Sequence, residues 1–215
     1  MSKLCVAVSE DSIEDIVREC SSADISEIRL DYASFSEKEI NEIFSSAKRK
    51  LVVTYRPGKV EEEFRQNMLI TAVKAGAYYV DLEIENSREF NAPIIDAARL
   101  VGCKVIISYH NYQLTPDNRE LNEIIDKSIS YGADIVKIAC LARTQKDAAR
   151  LLALYQREEE MIILGMGDYG KITRVASLYL GAPFSFVAPD SGRTTAPGQL
   201  TFSQMQSIKD LIGDL

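Results

Sequence analysis

Residues Lys104–Cys140 read KVIISYHNYQLTPDNRELNEIIDKSISYGADIVKIAC, and their pattern decides the fold. Lys104–His110 is a short run of apolar, largely β-branched residues. Turn or helix-start chemistry follows at Thr115-Pro116-Asp117. Glu120–Tyr131 sets Leu121, Ile124, Ile125 and Ile129 on one face at helical spacing. Ile135–Cys140 is a second β-branched run. A strand, an amphipathic helix and another strand form a βαβ unit, and such units require a parallel sheet.

The alternation extends in both directions. Further runs lie at Leu4–Ser9, Ile25–Asp31, Leu51–Arg56, Tyr78–Ile84, Met161–Gly167 and Phe184–Ala188, with starts about 21 to 31 residues apart, the length of a βα unit. Between them, Asp11–Cys20 places Ile13, Ile16 and Val17 on one helical face, and Ser36 with Glu39 forms a capping box ahead of Ile40 and Ile43. No Pro/Ser-rich linker divides the 215 residues, so residues 1–215 read as one α/β domain. Eight βα units predict a single (β/α)8 TIM barrel. A doubly wound open sheet is the second choice, disfavoured because Ser9-Glu10-Asp11-Ser12 follows the first run without a glycine-rich phosphate turn. The chain opens almost directly on its first strand, the expectation for a short barrel without an N-terminal extension.

Composition narrows the function. Asp plus Glu is 32 against 25 Lys plus Arg, a net charge of −7, so no basic field attracts nucleic acid. A small anionic substrate remains compatible if a few arginines make one site locally positive. The apolar run in MSKLCVAVSED is too short for a secretory core or a membrane span, so no membrane partner is expected. Cys5, Cys20, Cys103 and Cys140 are scattered without a C-x-x-C pair, and there is one histidine, which leaves a zinc site without ligands. Free thiols imply a reducing, cytoplasmic setting.

The charged residues cluster at strand ends. In Glu27-Ile28-Arg29-Leu30-Asp31 the parity sends Ile28 and Leu30 outward and Glu27 and Arg29 into the barrel mouth. Asp81 and Glu83 alternate with Val80, Leu82 and Ile84 in the same way; Arg56 and His110 close their runs. Structural ion pairs would explain the carboxylates, and a strand-end cap would explain His110. Lys137 is different, because it lies inside an apolar strand where lysine is costly. Desolvation and neighbouring arginines would favour its uncharged form, the state a Schiff-base nucleophile needs. Glu61-Glu62-Glu63 reads as a solvated helix start. Gly165–Gly170 is a poor phosphate loop, because Asp168 would repel the anion, and Thr194–Gln199 is a loop by composition.

Together these segments resemble the type I 3-dehydroquinate dehydratases of the shikimate pathway. The resemblance runs in family order through Glu27–Asp31, Thr54-Tyr55-Arg56, Asp81-Leu82-Glu83, Ser108–Tyr112, Val136–Ala139, Gly165–Gly167 with Arg174, and Ala196-Pro197-Gly198-Gln199. It implies a (β/α)8 barrel that uses no metal or organic cofactor, acts on 3-dehydroquinate and commonly forms homodimers. By the same resemblance Lys137 is the Schiff-base lysine and His110 the general acid/base. Glu27, Arg29 and Arg56 grip the substrate hydroxyls, while Arg174 and Gln199 hold its carboxylate. Ser9 is a further contact candidate, and Thr195 stands where many relatives carry serine. Relatives often follow the third-strand arginine with a glutamate and two glycines; Pro57-Gly58-Lys59-Val60 interrupts that pattern here, leaving open which of Glu61, Glu62 or Glu63 assists His110. Alternatives are a Schiff-base aldolase for phosphorylated sugars, a metal-dependent isomerase using Glu27, Asp81, Glu83 and His110, and a barrel that binds a ligand without catalysis.

Overall fold

β-branched runs of four to eight residues become strands, and the amphipathic stretches between them become helices that cover the strands' outer faces. A computed structural model describes residues 3–10, 12–20, 23–58, 60–191 and 196–213. The first half comprises β1 (Lys3–Val8), α1 (Ile13–Cys20), β2 (Ile25–Arg29), α2 (Glu37–Ser46), β3 (Lys50–Thr54), α3 (Glu62–Ala75), β4 (Tyr79–Glu83) and α4 (Arg88–Val101). The second comprises β5 (Lys104–Asn111), α5 (Asn118–Ser130), β6 (Ile135–Leu141), α6 (Gln145–Ala153), β7 (Met161–Met166), α7 (Lys171–Tyr179), β8 (Phe184–Val187) and α8 (Phe202–Ile212). All pairings are parallel, in the order β7-β6-β5-β4-β3-β2-β1-β8. The chain is a single (β/α)8 barrel. Its ladder leaves one seam, between β7 and β8, which touch without strand pairing among the described residues.

Strand parity makes two cores. Facing inward at the amino ends are Cys5, Ile25, Val52, Tyr79, Ile106, Ile135, Ile162 and Phe184, an apolar plug. Facing outward, Ile28, Val53, Val80, Leu82 and Ile107 pack against Ile16, Ile40, Leu69 and Ile94 of the helices. Two residues beyond the plug, the same inward parity brings Glu27, Asp81, Ser108 and Lys137 into the interior, all buried.

The capping box at Ser36 and Glu39 forms, and Asp117 caps α5 through Glu120 N. Two face assignments need correction. Val17 is 51% exposed and Ile129 40% exposed. Ile16 is the buried residue of α1, and the buried stripe of α5 runs Leu121, Ile125, Ser128. A neighbour one residue along is rotated by about 100° and leaves so narrow a stripe. β2 also stops at Arg29, because Leu30–Tyr32 turns as a 3₁₀ helix. Among the described residues, no helix is long and apolar enough to cross a membrane.

Candidate active site

The carboxyl ends of the strands surround a cleft of about 510 Å³, open to solvent and lined by Glu27, Arg29, Arg56, His110, Tyr112, Lys137, Ala139, Leu164, Met166, Arg174, Phe186, Ala196 and Gln199. Lys137, 4% exposed, projects from β6 and donates to Asp81 Oδ2 at 2.7 Å; Glu27 Oε1 is 4.0 Å away. Its ammonium also stands 4.1 Å from the centre of the Phe186 ring. Arginine neighbours were the expectation for this lysine. Instead, inward parity on β2 and β4 sets carboxylates beside it, and the cleft opens on its other side.

Asp81 is the hub. Its Oδ1 accepts from Arg56 Nη1 at 3.0 Å and from Ser108 Oγ at 2.6 Å, and Arg56 also reaches Ser108 Oγ at 3.0 Å. Burial alone would raise its pKa, but the cations of Arg56 and Lys137 outweigh burial and hold Asp81 well below the usual carboxylate range. Glu27 accepts from Thr54 Oγ1 at 2.7 Å. Arg29 forms a two-pronged bond to Asp31, at 2.9 and 2.7 Å, and lies over the Tyr32 ring. Glu27 and Arg29, whose alternative reading is a structural ion pair, are instead attached separately, one to Thr54 and one to Asp31.

His110 lies near the end of β5, over the same cleft. Burial and then the nearby Arg56 push its pKa down to about 4, so the imidazole is neutral near pH 7. Glu83 Oε1 approaches Nδ1 at 3.4 Å, too poorly aligned to satisfy it as a hydrogen bond. Tyr112 stacks on the ring with centroids 6.2 Å apart.

Opposite stands Arg174, 1% exposed. It belongs to α7, outside the sheet, and enters the cleft beside the unpaired seam, where Nη1 meets Phe186 O at 3.5 Å. Its Nε has no partner, and no carboxylate lies within salt-bridge distance among the described residues. Burial alone lowers its pKa to about 10. A buried, unpaired guanidinium is a costly group that a ligand anion would relieve. The glycines ahead of it are structural. A Cβ on Gly165 would come 2.6 Å from Gly170 Cα, and Thr173 Oγ1 ties the two segments by accepting from Gly165 N and donating to Gly170 O. Gly198 (φ +74°) packs on Gly167, where a Cβ would meet the Gly167 carbonyl oxygen at 2.7 Å, and this places the Gln199 loop beside the end of β7.

The cleft thus brings together Lys137, His110, Glu27, Arg29, Arg56, Arg174 and Gln199. Ser9 is buried beyond β1 and is not part of the lining. Thr195 lies outside the described residues. Glu61 starts α3 as its N-cap residue, with Glu62 and Glu63 exposed in its first turn; the carboxylate beside His110 is Glu83, from β4. Asp81 and Glu83 were visible as inward-parity polar residues, and Ser108 and Tyr112 only as members of a segment of family resemblance, whereas nothing in the sequence marked Phe186. Among the described residues, no three His, Cys, Asp or Glu side chains are grouped to hold a metal ion.

Fold and cleft define a class: a (β/α)8 protein with a buried lysine, a neutral histidine and a buried arginine without a carboxylate partner at the carboxyl ends of its strands. The family model for type I 3-dehydroquinase matches residues 4–215. The 3-dehydroquinate dehydratase of Methanocaldococcus jannaschii is 32% identical over 95% of this chain and 96% of its own, and that of Pyrococcus abyssi is 33% identical over 98% and 99%. A solved 3-dehydroquinate dehydratase from Aquifex aeolicus superimposes with a TM-score of 0.85 at 30% identity, covering 100% of both chains. The chain belongs to the type I 3-dehydroquinase family, and with it to the carbon–oxygen lyases.

Proposed function

We propose that the chain dehydrates 3-dehydroquinate to 3-dehydroshikimate, a step of the shikimate pathway, through an imine on Lys137. The observation that carries this reading is the placement, in one cleft, of Lys137 and His110 on adjoining strands and of an unpaired Arg174. A ligand with a ketone at one end and a carboxylate at the other has a partner for each.

His110, neutral at rest, takes the proton that Lys137 must lose before attacking the ring ketone. It returns that proton as the carbinolamine hydroxyl departs as water, leaving a cationic imine. Asp81, held ionised, pairs with that cation as it did with the ammonium, and the Phe186 face supports it. The iminium draws electrons from the adjacent carbon, and His110 removes its proton. The enamine then expels the β-hydroxyl, which takes the same proton and leaves as water. Hydrolysis of the product imine frees Lys137. Glu83 beside Nδ1 steadies the imidazolium formed on the way. Arg174 receives the carboxylate with Gln199, while Glu27, Arg29 and Arg56 orient the hydroxyls.

The chain requires no metal or organic cofactor for these steps. We further propose a cytoplasmic setting, supported by four free cysteines, and a homodimer, in line with the family resemblance. Borohydride added during turnover tests the chemistry. Mass spectrometry should place a reduced adduct on the peptide containing Lys137, and untreated enzyme should generate the absorbance of a conjugated enone. An adduct on another lysine, or no conversion, rejects the reading.

A further inference from the structure

Behind the cleft lies a buried cation that the chemistry above does not use. Arg65, in the first turn of α3, is 2% exposed. Its nearest carboxylate, Glu62 at 3.7 Å, is itself 74% exposed and a weak counter-charge. Burial lowers its pKa, against the pull of Glu62 and Glu83. A guanidinium in this position needs hydrogen bonds, and those it makes are specific. Nη1 donates to the Tyr55 carbonyl at 3.2 Å, one residue before Arg56. Nη2 donates to Asn86 Oδ1 at 3.1 Å, and the guanidinium stacks on Phe90 at 3.8 Å. Asn86 Nδ2 in turn donates to Asn91 Oδ1 at 3.0 Å, and Asn91 Nδ2 donates to the Glu83 carbonyl at 3.3 Å.

The two main-chain groups this relay grips belong to Tyr55 and Glu83, and so fix the segments that present Arg56 and Glu83 to His110. The β5 ladder and Asn86 N, at 3.2 Å, also hold the Glu83 main chain, but its carboxylate is loosely placed, 3.4 Å from both Arg56 Nη1 and His110 Nδ1, and is 21% exposed. We infer that Arg65 is a positioning residue, acting through Asn86 and Asn91 to hold the ends of β3 and β4 so that Glu83 stays against His110. The inference rests on the proposed proton-shuttling role of His110, but its main test does not.

His110 is the only histidine in the chain, so its imidazole proton resonance can be followed by NMR without assignment. The charges facing it are Glu83 and Asp81 from β4, Arg56 after β3 and Lys137 from β6. Arg56 and Lys137 keep their own bonds to Asp81, so loosening the relay releases Glu83 first. In Arg65→Met the His110 titration midpoint should fall by about half a unit or more, since the contact with Glu83 raises it. In the same variant kcat should drop about tenfold or more, with KM nearly unchanged. Arg65→Lys, able to reach one acceptor, should recover part of both. Asn91→Leu interrupts the relay without touching Arg65 and serves if Arg65→Met does not fold. A folded variant of either kind with the wild-type midpoint overturns the inference, whatever the turnover assay says. Wild-type protein that fails to convert dehydroquinate overturns only the function it builds on.

Discussion

Lys137 and Arg174 are both cations buried in one cleft, 4% and 1% exposed, and their surroundings are opposite. Lys137 touches Asp81 and has Glu27 within 4.0 Å, and Asp81 is shared with Arg56 and Ser108. Arg174 has one long bond to a carbonyl and an orphaned Nε. The difference lies in which partner is permanent. On the β2–β6 side the protein supplies the counter-charge itself, and Asp81 is held by Arg56 and Ser108 as well as by Lys137. On the β7–β8 side no carboxylate stands by among the described residues, and the buried guanidinium bears its desolvation cost without a counter-charge.

Removing each cation should break the comparison in opposite directions. Lys137→Met leaves Asp81 short of one partner and should lose roughly 2–4 kcal/mol of stability by denaturant unfolding, along with all turnover. An equally stable variant would mean that the Lys137–Asp81 pair contributes nothing to the fold. Arg174→Met should be neutral or up to about 1 kcal/mol stabilising, because it removes an unpaired buried charge. The same variant should weaken binding of a carboxylate ligand by about 2–3 kcal/mol, measurable as KM or by calorimetry. Marked destabilisation with unchanged affinity would place the ligand's anion elsewhere.

The smallest effect is one of pH, and none is expected near neutrality. His110 titrates at about 4 in the folded chain, below its ordinary value of 6.5, so the fold favours the neutral ring. That contribution is complete above pH 6.5 and is lost as pH falls from 6.5 through 4. The acid limb of kcat/KM should follow, lying nearer 4 than 6.5. A limb centred at 6.5 would show that the ring is solvated in the working enzyme.

The barrel was legible because parity and period carry it: each β-branched run became a strand, and the inward set Glu27, Asp81, Lys137 follows from counting by twos. What sits beside what across the mouth was not legible. Lys137 meets Asp81 because β4 and β6 both flank β5 in a curved sheet, a registration that sequence does not reveal. Val17 and Ile129 misled because helical spacing marks a stripe but not its width. Gly165–Gly170 reads poorly as a phosphate loop, but the backbone contact between Gly165 and Gly170 that its glycines permit is one no local pattern reveals. Arg65 was invisible, since on a helix it looks like any surface arginine.

The unpaired seam separates two design problems. The proposed chemistry is carried by the inner ring, where each inward strand residue also takes part in the strand ladder, so change there disturbs neighbours on both sides. The proposed grip on the acid group draws on the outer ring, where Arg174 of α7 reaches in beside the gap. Substitutions at Arg174 could therefore redirect the protein toward ketones bearing neutral or basic substituents, leaving the imine-forming apparatus as it stands.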